Sequence, residues 1–189
     1  MIERFFNESI SVKQRILNDS DLMAIIYRAA DTCKAALLDG KKIILAGNGG
    51  SFADAQHISA EFTGRFLLER PSLPAIALGC NSSAMSAIGN DYGFDQTFSR
   101  ELSSLGVAGD VFLPISTSGN SANILAAVEI AIQKGIHIFG LTGYTGGKLA
   151  GMCPCIQVPS GSTPRVQEAH ILIGHSICGY IDDALYRGR

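Results

Sequence analysis

Apolar residues in the first forty positions recur at helical spacing. Residues 2–18 and 22–38 each carry an amphipathic stripe; in the second, Ile25, Ile26, Ala29, Ala30, Cys33 and Leu37 share a face and Gly40 supplies the stop. From residue 42 the pattern changes to short β-branched or aliphatic runs, at 42–46, 74–79, 110–115, 136–142 and 155–159, most of them closed by a loop of Gly, Ser or Asn. Each run is short and apolar enough to be covered on both faces, which is how parallel strands read. Between them, helices are expected over about 51–66, 82–88, 121–133 and 164–186, the last with Pro164 in a first turn that tolerates proline. Alternation of this kind predicts an α/β chain, a three-layer α/β/α sandwich around a five-stranded parallel sheet with two N-terminal helices. The longest irregular stretch, about 90–95, is too short to divide domains, so residues 1–189 read as a single domain.

Composition narrows the function. The chain has 189 residues, is 47% hydrophobic and carries 15 Lys+Arg against 17 Asp+Glu, a net charge of -2. No basic footprint recommends a nucleic-acid or anionic-membrane partner. No apolar run reaches the roughly 18 residues of a spanning helix, and the first ten residues are too polar for a secretory leader. A soluble, cytoplasmic protein is expected. Five cysteines with no CxxC pair predict free thiols, mostly packed, rather than a disulfide framework or a thiolate metal site.

Two loops carry candidate chemistry, both after strands and at the edge of the sheet where such folds take ligands. Gly47-Asn48-Gly49-Gly50-Ser51 leads into a helix, so its backbone N–H groups can close on an anion at a positive helix end. It is no dinucleotide fingerprint, because Phe52 stands where a third Gly would be needed, and no Gly-Lys-Ser/Thr follows to make a nucleotide loop. The only Gly-Gly-Lys, at Gly146 to Lys148, continues into Leu149. The second loop, Ser116-Thr117-Ser118-Gly119-Asn120-Ser121, offers four hydroxyl donors. Either loop alone reads equally well as a turn or a helix cap. Two on adjacent βα units point to a phosphorylated small molecule.

His57 and Glu61, four apart on the helix after the first loop, share a face within about 6 Å of each other, with Asp54 near the same stripe. Such a pair chelates a divalent ion or works as acid and base, although on an arbitrary helix it is an incidental ion pair. In the last helix Gln167 and His175 are eight apart, roughly 80° around the axis and ~12 Å along it. They reach one ion only by leaning together. His170 and His137 read as structural.

Taken together, Gly47 to Ser51, Ala53-Asp54-Ala55-Gln56-His57, Glu61-Phe62-Thr63-Gly64-Arg65, Gly89-Asn90-Asp91-Tyr92-Gly93, Ile115 to Ser121 and Arg165-Val166-Gln167-Glu168-Ala169-His170 resemble the phosphoheptose isomerase family over essentially the whole chain. The resemblance implies a flavodoxin-like sheet of the sugar isomerase (SIS) kind. It implies conversion of sedoheptulose 7-phosphate to D-glycero-D-manno-heptose 7-phosphate through an enediol, feeding lipopolysaccharide or other surface glycans. By the same resemblance Glu61 and His175 are the acid/base pair, and His57, Glu61, Gln167 and His175 hold about one zinc ion per subunit. Ser51, Ser116, Thr117, Ser118 and Ser121 grip the phosphate. Asn48, Gly49, Gly50, Asn90 and Asp91, with Glu61 and Gln167, match sugar-contacting positions. A homotetramer with active sites at subunit interfaces is implied as well.

Two departures stand out: Asn81 where many members have an aspartate, and Pro114 where Gly is usual, a residue that cannot donate to a ladder and is expected to reshape the strand end. The segments at 70–78 and 141–144 also look like a non-catalytic paralogue that binds the bacterial replication initiator, which leaves a binding protein as the alternative. That paralogue lacks the glutamate and the last-helix histidine retained here.

Overall fold

The computed structural model describes residues 1–187. Helices α1 (Ile2–Asn18) and α2 (Ser20–Leu38) lead into strand β1 (Ile43–Gly47), α3 (Gly50–Thr63), β2 (Ala75–Ala77), α4 (Ser82–Tyr92) and α5 (Thr97–Leu105). Then come β3 (Val111–Ile115), α6 (Ala122–Gln133), β4 (His137–Ile138), β5 (Gly140–Thr142), β6 (Cys155–Gln157) and α7 (Thr163–Tyr186). Asp19 marks the joint between the first two helices: its carboxylate accepts the Asp21 and Leu22 amides and caps α2.

All strand pairs are parallel, in the order β2-β1-β3-β5-β6, with β4 beside β3. Counting β4 and β5 as one strand, this is the flavodoxin-like order. Successive side chains of β1 serve opposite faces. Ile43 and Leu45 join a core with α1, α2, α3 and α7. Ile44 and Ala46 join a second core with α5 and α6. The expected three layers follow from that alternation.

The structure differs from expectation in four places. The run at 136–142 is two strands, interrupted at Phe139, and the cause is Pro114. Ser116 N–H donates to Leu141 O at 3.0 Å, so in a parallel ladder the residue two places earlier would donate to Phe139 O, and proline has no N–H to give. Helix α3 ends at Thr63 rather than 66, with Gly64 as its cap. Helix α4 runs on to Tyr92 and is followed by a 3-10 turn, Phe94–Gln96, so most of the stretch expected to be irregular is ordered. Helix α5 was not anticipated, although Phe98, Leu102 and Leu105 are helically spaced before Gly106. Its Glu101 accepts the Gly79 amide at 2.6 Å and fastens the end of β2.

Cys33 and Cys178 are buried free thiols as expected, whereas Cys80 is exposed. No helix among the described residues is long and apolar enough to cross a membrane.

Candidate active site

Both loops sit at the carboxyl edge of the sheet, after β1 and β3, and they are joined. Asn48 and Asn123 exchange amide hydrogen bonds, Nδ2 to Oδ1, at 2.9 and 3.0 Å. The Asn48 side chain is thus engaged with the start of α6. Gly49 adopts φ +56°, which glycine alone takes freely, and Gly50 opens α3 beneath the Gln167 amide, where a Cβ would collide. Ser51 is buried in the first turn.

In the second loop Ser116 is buried and its hydroxyl meets that of Ser121 at 3.0 Å. Ser118 Oγ accepts the Asn120 amide at 3.2 Å, and Thr117, between Ser116 and Ser118, is half-buried. The floor of this loop is the Gly-Gly-Lys stretch: Gly119 at φ +66° presses on Gly146 and Gly147, Lys148 N–H donates to Asn120 Oδ1 at 3.0 Å and Leu149 N–H to Gly119 O at 3.0 Å. Those two glycines are small because backbone meets backbone there.

His57, Glu61 and His175 come together. His57 Nε2 stands 3.2 Å from Glu61 Oε1 and 3.0 Å from His175 Nε2, and one donor atom from each residue lies within 4.8 Å of the others. Helical spacing accounts for the first pair. The second depends on close packing of α3 on α7, where Gly174 lies so near Ile58 that any Cβ would overlap it. Two imidazole nitrogens at 3.0 Å would set lone pair against lone pair unless a proton or a cation lies between them. Imidazole binds zinc-like ions at about 2.0–2.1 Å, so one divalent cation fits this donor set. Asp54, one turn before His57, is half-buried with Oδ2 unpartnered; burial raises its pKa, against an opposing pull from His57.

Gln167, two turns of α7 before His175, lays its side-chain amide over Gly50 at the start of α3. Asn90 and Asp91 lie on the exposed end of α4, a helix with no buried residue, and Asn90 donates to Asp91 at 2.8 Å. Asn81 explains its own departure from the aspartate pattern: its Oδ1 accepts the Ala84 amide at 3.1 Å and caps α4, a task an amide does as well as a carboxylate. His170 is buried with Nε2 3.2 Å from Thr142 O, a packed residue, and burial lowers its pKa to about 4.

Sequence reasoning missed Phe66, whose ring stacks on His175 with centroids 5.3 Å apart. It also missed Arg70, whose buried side chain holds the carbonyls of Glu61 and Phe62. Phe66 continues the apolar spacing of Ile58 and Phe62, which signals burial but not the imidazole it meets, and an arginine beside a proline carries no local signal of burial.

A SIS domain family model matches residues 4–143. Phosphoheptose isomerase of Aneurinibacillus thermoaerophilus is 51% identical over 189 residues, covering 100% of this chain and 96% of that relative. Phosphoheptose isomerase 2 of Campylobacter jejuni is 50% identical over 186 residues, 98% of this chain and 92% of the relative. Among solved structures, the phosphoheptose isomerase of Neisseria gonorrhoeae superposes with a TM-score of 0.90 at 45% identity, covering 96% of this chain and 97% of that one. The enzyme from Francisella tularensis gives 0.92 at 39%, covering 96% of each chain.

Proposed function

The chain belongs to the phosphoheptose isomerase family of SIS-domain proteins, and on that premise we propose that it converts sedoheptulose 7-phosphate to D-glycero-D-manno-heptose 7-phosphate. The observation that carries this reading is the meeting of Glu61, on the helix that starts at the first glycine loop, with His175 of α7. The substrate phosphate lies between the two loops, taking backbone N–H groups at the start of α3 and the hydroxyls of Ser51, Ser116, Thr117, Ser118 and Ser121. The sugar then runs along α3 past Gly49, Gly50 and Gln167 toward the cluster.

Moving the carbonyl from C2 to C1 requires a proton to leave C1 and return at C2. Glu61 takes it from C1, giving an enediol, and delivers it to C2. His175 moves the hydroxyl proton between O1 and O2, with its ring held flat by Phe66. His57, Glu61 and His175, with Gln167 as a fourth donor, suit zinc, because two imidazoles select a borderline metal. When bound, the ion supplies positive charge that stabilises the enediolate.

The assembly we favour is a homotetramer in the cytoplasm, with each site completed at a subunit interface. Two observations support it. Helix α4, which carries Asn90 and Asp91, buries none of its residues in its own chain. The apolar side chains Ile10, Leu17 and Leu172 stand 50%, 70% and 42% exposed on α1 and α7. The test is turnover of sedoheptulose 7-phosphate by purified protein, before and after chelation and with zinc restored, beside metal analysis and light scattering. We expect isomerisation, loss on chelation, recovery with zinc, and a tetramer. No turnover with zinc present would overturn the activity; full activity in metal-free protein would remove the ligand roles of His57 and Gln167.

A further inference from the structure

Arg70 lies in the connection between α3 and β2, its side chain wholly buried against Asp182 of α7. Its Nε donates to Asp182 Oδ1 at 2.6 Å, Nη1 to Phe62 O at 2.9 Å and to Pro71 O at 3.1 Å, and Nη2 to Glu61 O at 2.8 Å. The other carboxylate oxygen, Asp182 Oδ2, accepts the Leu67 and Leu68 amides at 3.2 and 3.4 Å. Buried ion pairs of this kind are often replaced by apolar residues without loss of stability, so stability alone gives no reason for one here.

Geometry gives a reason. The last carbonyls of a helix have no partner within it, and a guanidinium at that end both satisfies them and matches the negative pole of the helix. Here those carbonyls belong to Glu61 and its neighbour. Asp182 follows His175 by seven residues, two turns, and so faces the same side of α7. The loop that Asp182 anchors through Leu67 and Leu68 carries Phe66, the ring stacked on His175. One buried pair therefore touches the turn that bears Glu61, the helix that bears His175 and the loop that orients the imidazole.

We propose that Arg70 and Asp182 are a positioning pair that sets the separation of Glu61 from His175. Neither touches substrate. The proposal rests on the isomerase reading for its kinetic arm and on the His57, Glu61 and His175 cluster for its binding arm. A second pair, with a buried carboxylate and a partly exposed lysine, provides the control: Lys42 Nζ meets Asp110 Oδ2 at 2.7 Å at the amino edge of β1 and β3, the end of the sheet away from the site.

The variants are Arg70→Lys, which keeps the charge toward Asp182 but lacks the fork needed for both carbonyls, Asp182→Asn, and Lys42→Met. For each we would measure melting temperature, kcat, KM for sedoheptulose 7-phosphate, and zinc affinity by competition with a chromophoric chelator. Arg70→Lys and Asp182→Asn should lower kcat about tenfold to a hundredfold, as a displaced catalytic group does. KM should stay within about twofold, and zinc binding should weaken about tenfold, the usual effect of removing an outer-shell support. Lys42→Met should lose melting temperature and leave kcat and zinc affinity unchanged. Wild-type zinc affinity and kcat in both Arg70→Lys and Asp182→Asn would overturn the proposal, as would equal losses in Lys42→Met. If both pair variants fail to fold while Lys42→Met folds, the pair is a folding determinant and the proposal falls. Should wild type bind zinc yet turn over no sugar phosphate, the isomerase reading fails and the zinc measurements still decide the positioning role.

Discussion

His57 and His175, 118 positions apart in the chain, face each other Nε2 to Nε2 at 3.0 Å across the seam between α3 and α7. Nothing covalent or local holds them there. Their meeting is a property of how two helices pack on one face of a sheet, and the chemistry of the site is exposed to any change in that packing.

Glu61→Gln removes a base and almost no volume. The variant should remain folded and lose isomerase activity by about 100-fold or more, the usual contribution of a positioned general base. His175→Asn should do the same. Turnover within about threefold of wild type, a barrier change under ~0.7 kcal/mol, would show that the substituted residue carries no proton.

Gly174→Ala forces a methyl group into the space held by Ile58. Helix α7 is expected to shift off α3, carrying His175 away from His57 and Glu61. Overpacking of this sort costs about 1–3 kcal/mol, and chemical denaturation should register it. Chelator competition should show weaker metal binding in the same variant. Unchanged metal affinity would mean that Ile58 rearranges and the helices stay in place.

Ser116→Ala deletes a buried hydroxyl that meets Ser121 Oγ. Loss of one charge-assisted hydrogen bond, about 1.5 kcal/mol, should raise KM for the sugar phosphate roughly tenfold with little change in kcat. Ser118→Ala, on the exposed rim of the loop, should behave similarly. Sedoheptulose without its phosphate turning over equally well would remove the loop assignment.

His170 gives the fold a pH dependence. Its folded pKa of about 4 lies below the ordinary histidine value of 6.5 because burial disfavours the cation, against a lesser opposing effect of Thr142 O. Between those two values the unfolded chain binds the proton and the folded chain does not. The stability is therefore fully present above the unfolded value and is lost as pH falls through about 4, a difference on the order of 3 kcal/mol. Urea unfolding of wild type between pH 7 and pH 4 should show this loss, and His170→Leu should flatten it. Parallel slopes for the two proteins would place the titration elsewhere.

The layers, the parallel sheet, the two loops after β1 and β3 and the His57/Glu61 pair could be read from the chain because each depends on near neighbours: period two or 3.6 in apolar residues, glycine and serine after a strand, two donors one helical turn apart. Pro114 was legible in the same way, as a missing donor, although its consequence, the break at Phe139, needed the partner strand. What tertiary structure decided is everything that depends on which helix lies against which. Helical spacing along α7 leaves Gln167 and His175 able to reach one ion only by leaning together. Packing of α7 on α3 at Gly174 brought His175 against His57 and Glu61. Arg70 shows the limit most clearly. In sequence it is a charged residue next to a proline, indistinguishable from a solvated one, and only the approach of Asp182 from a helix 112 positions later makes its burial affordable and its hydrogen bonds possible. Periodicity is a short-range property of the chain, whereas the desolvation and pairing of charges depend on contacts that exist only once the chain is folded.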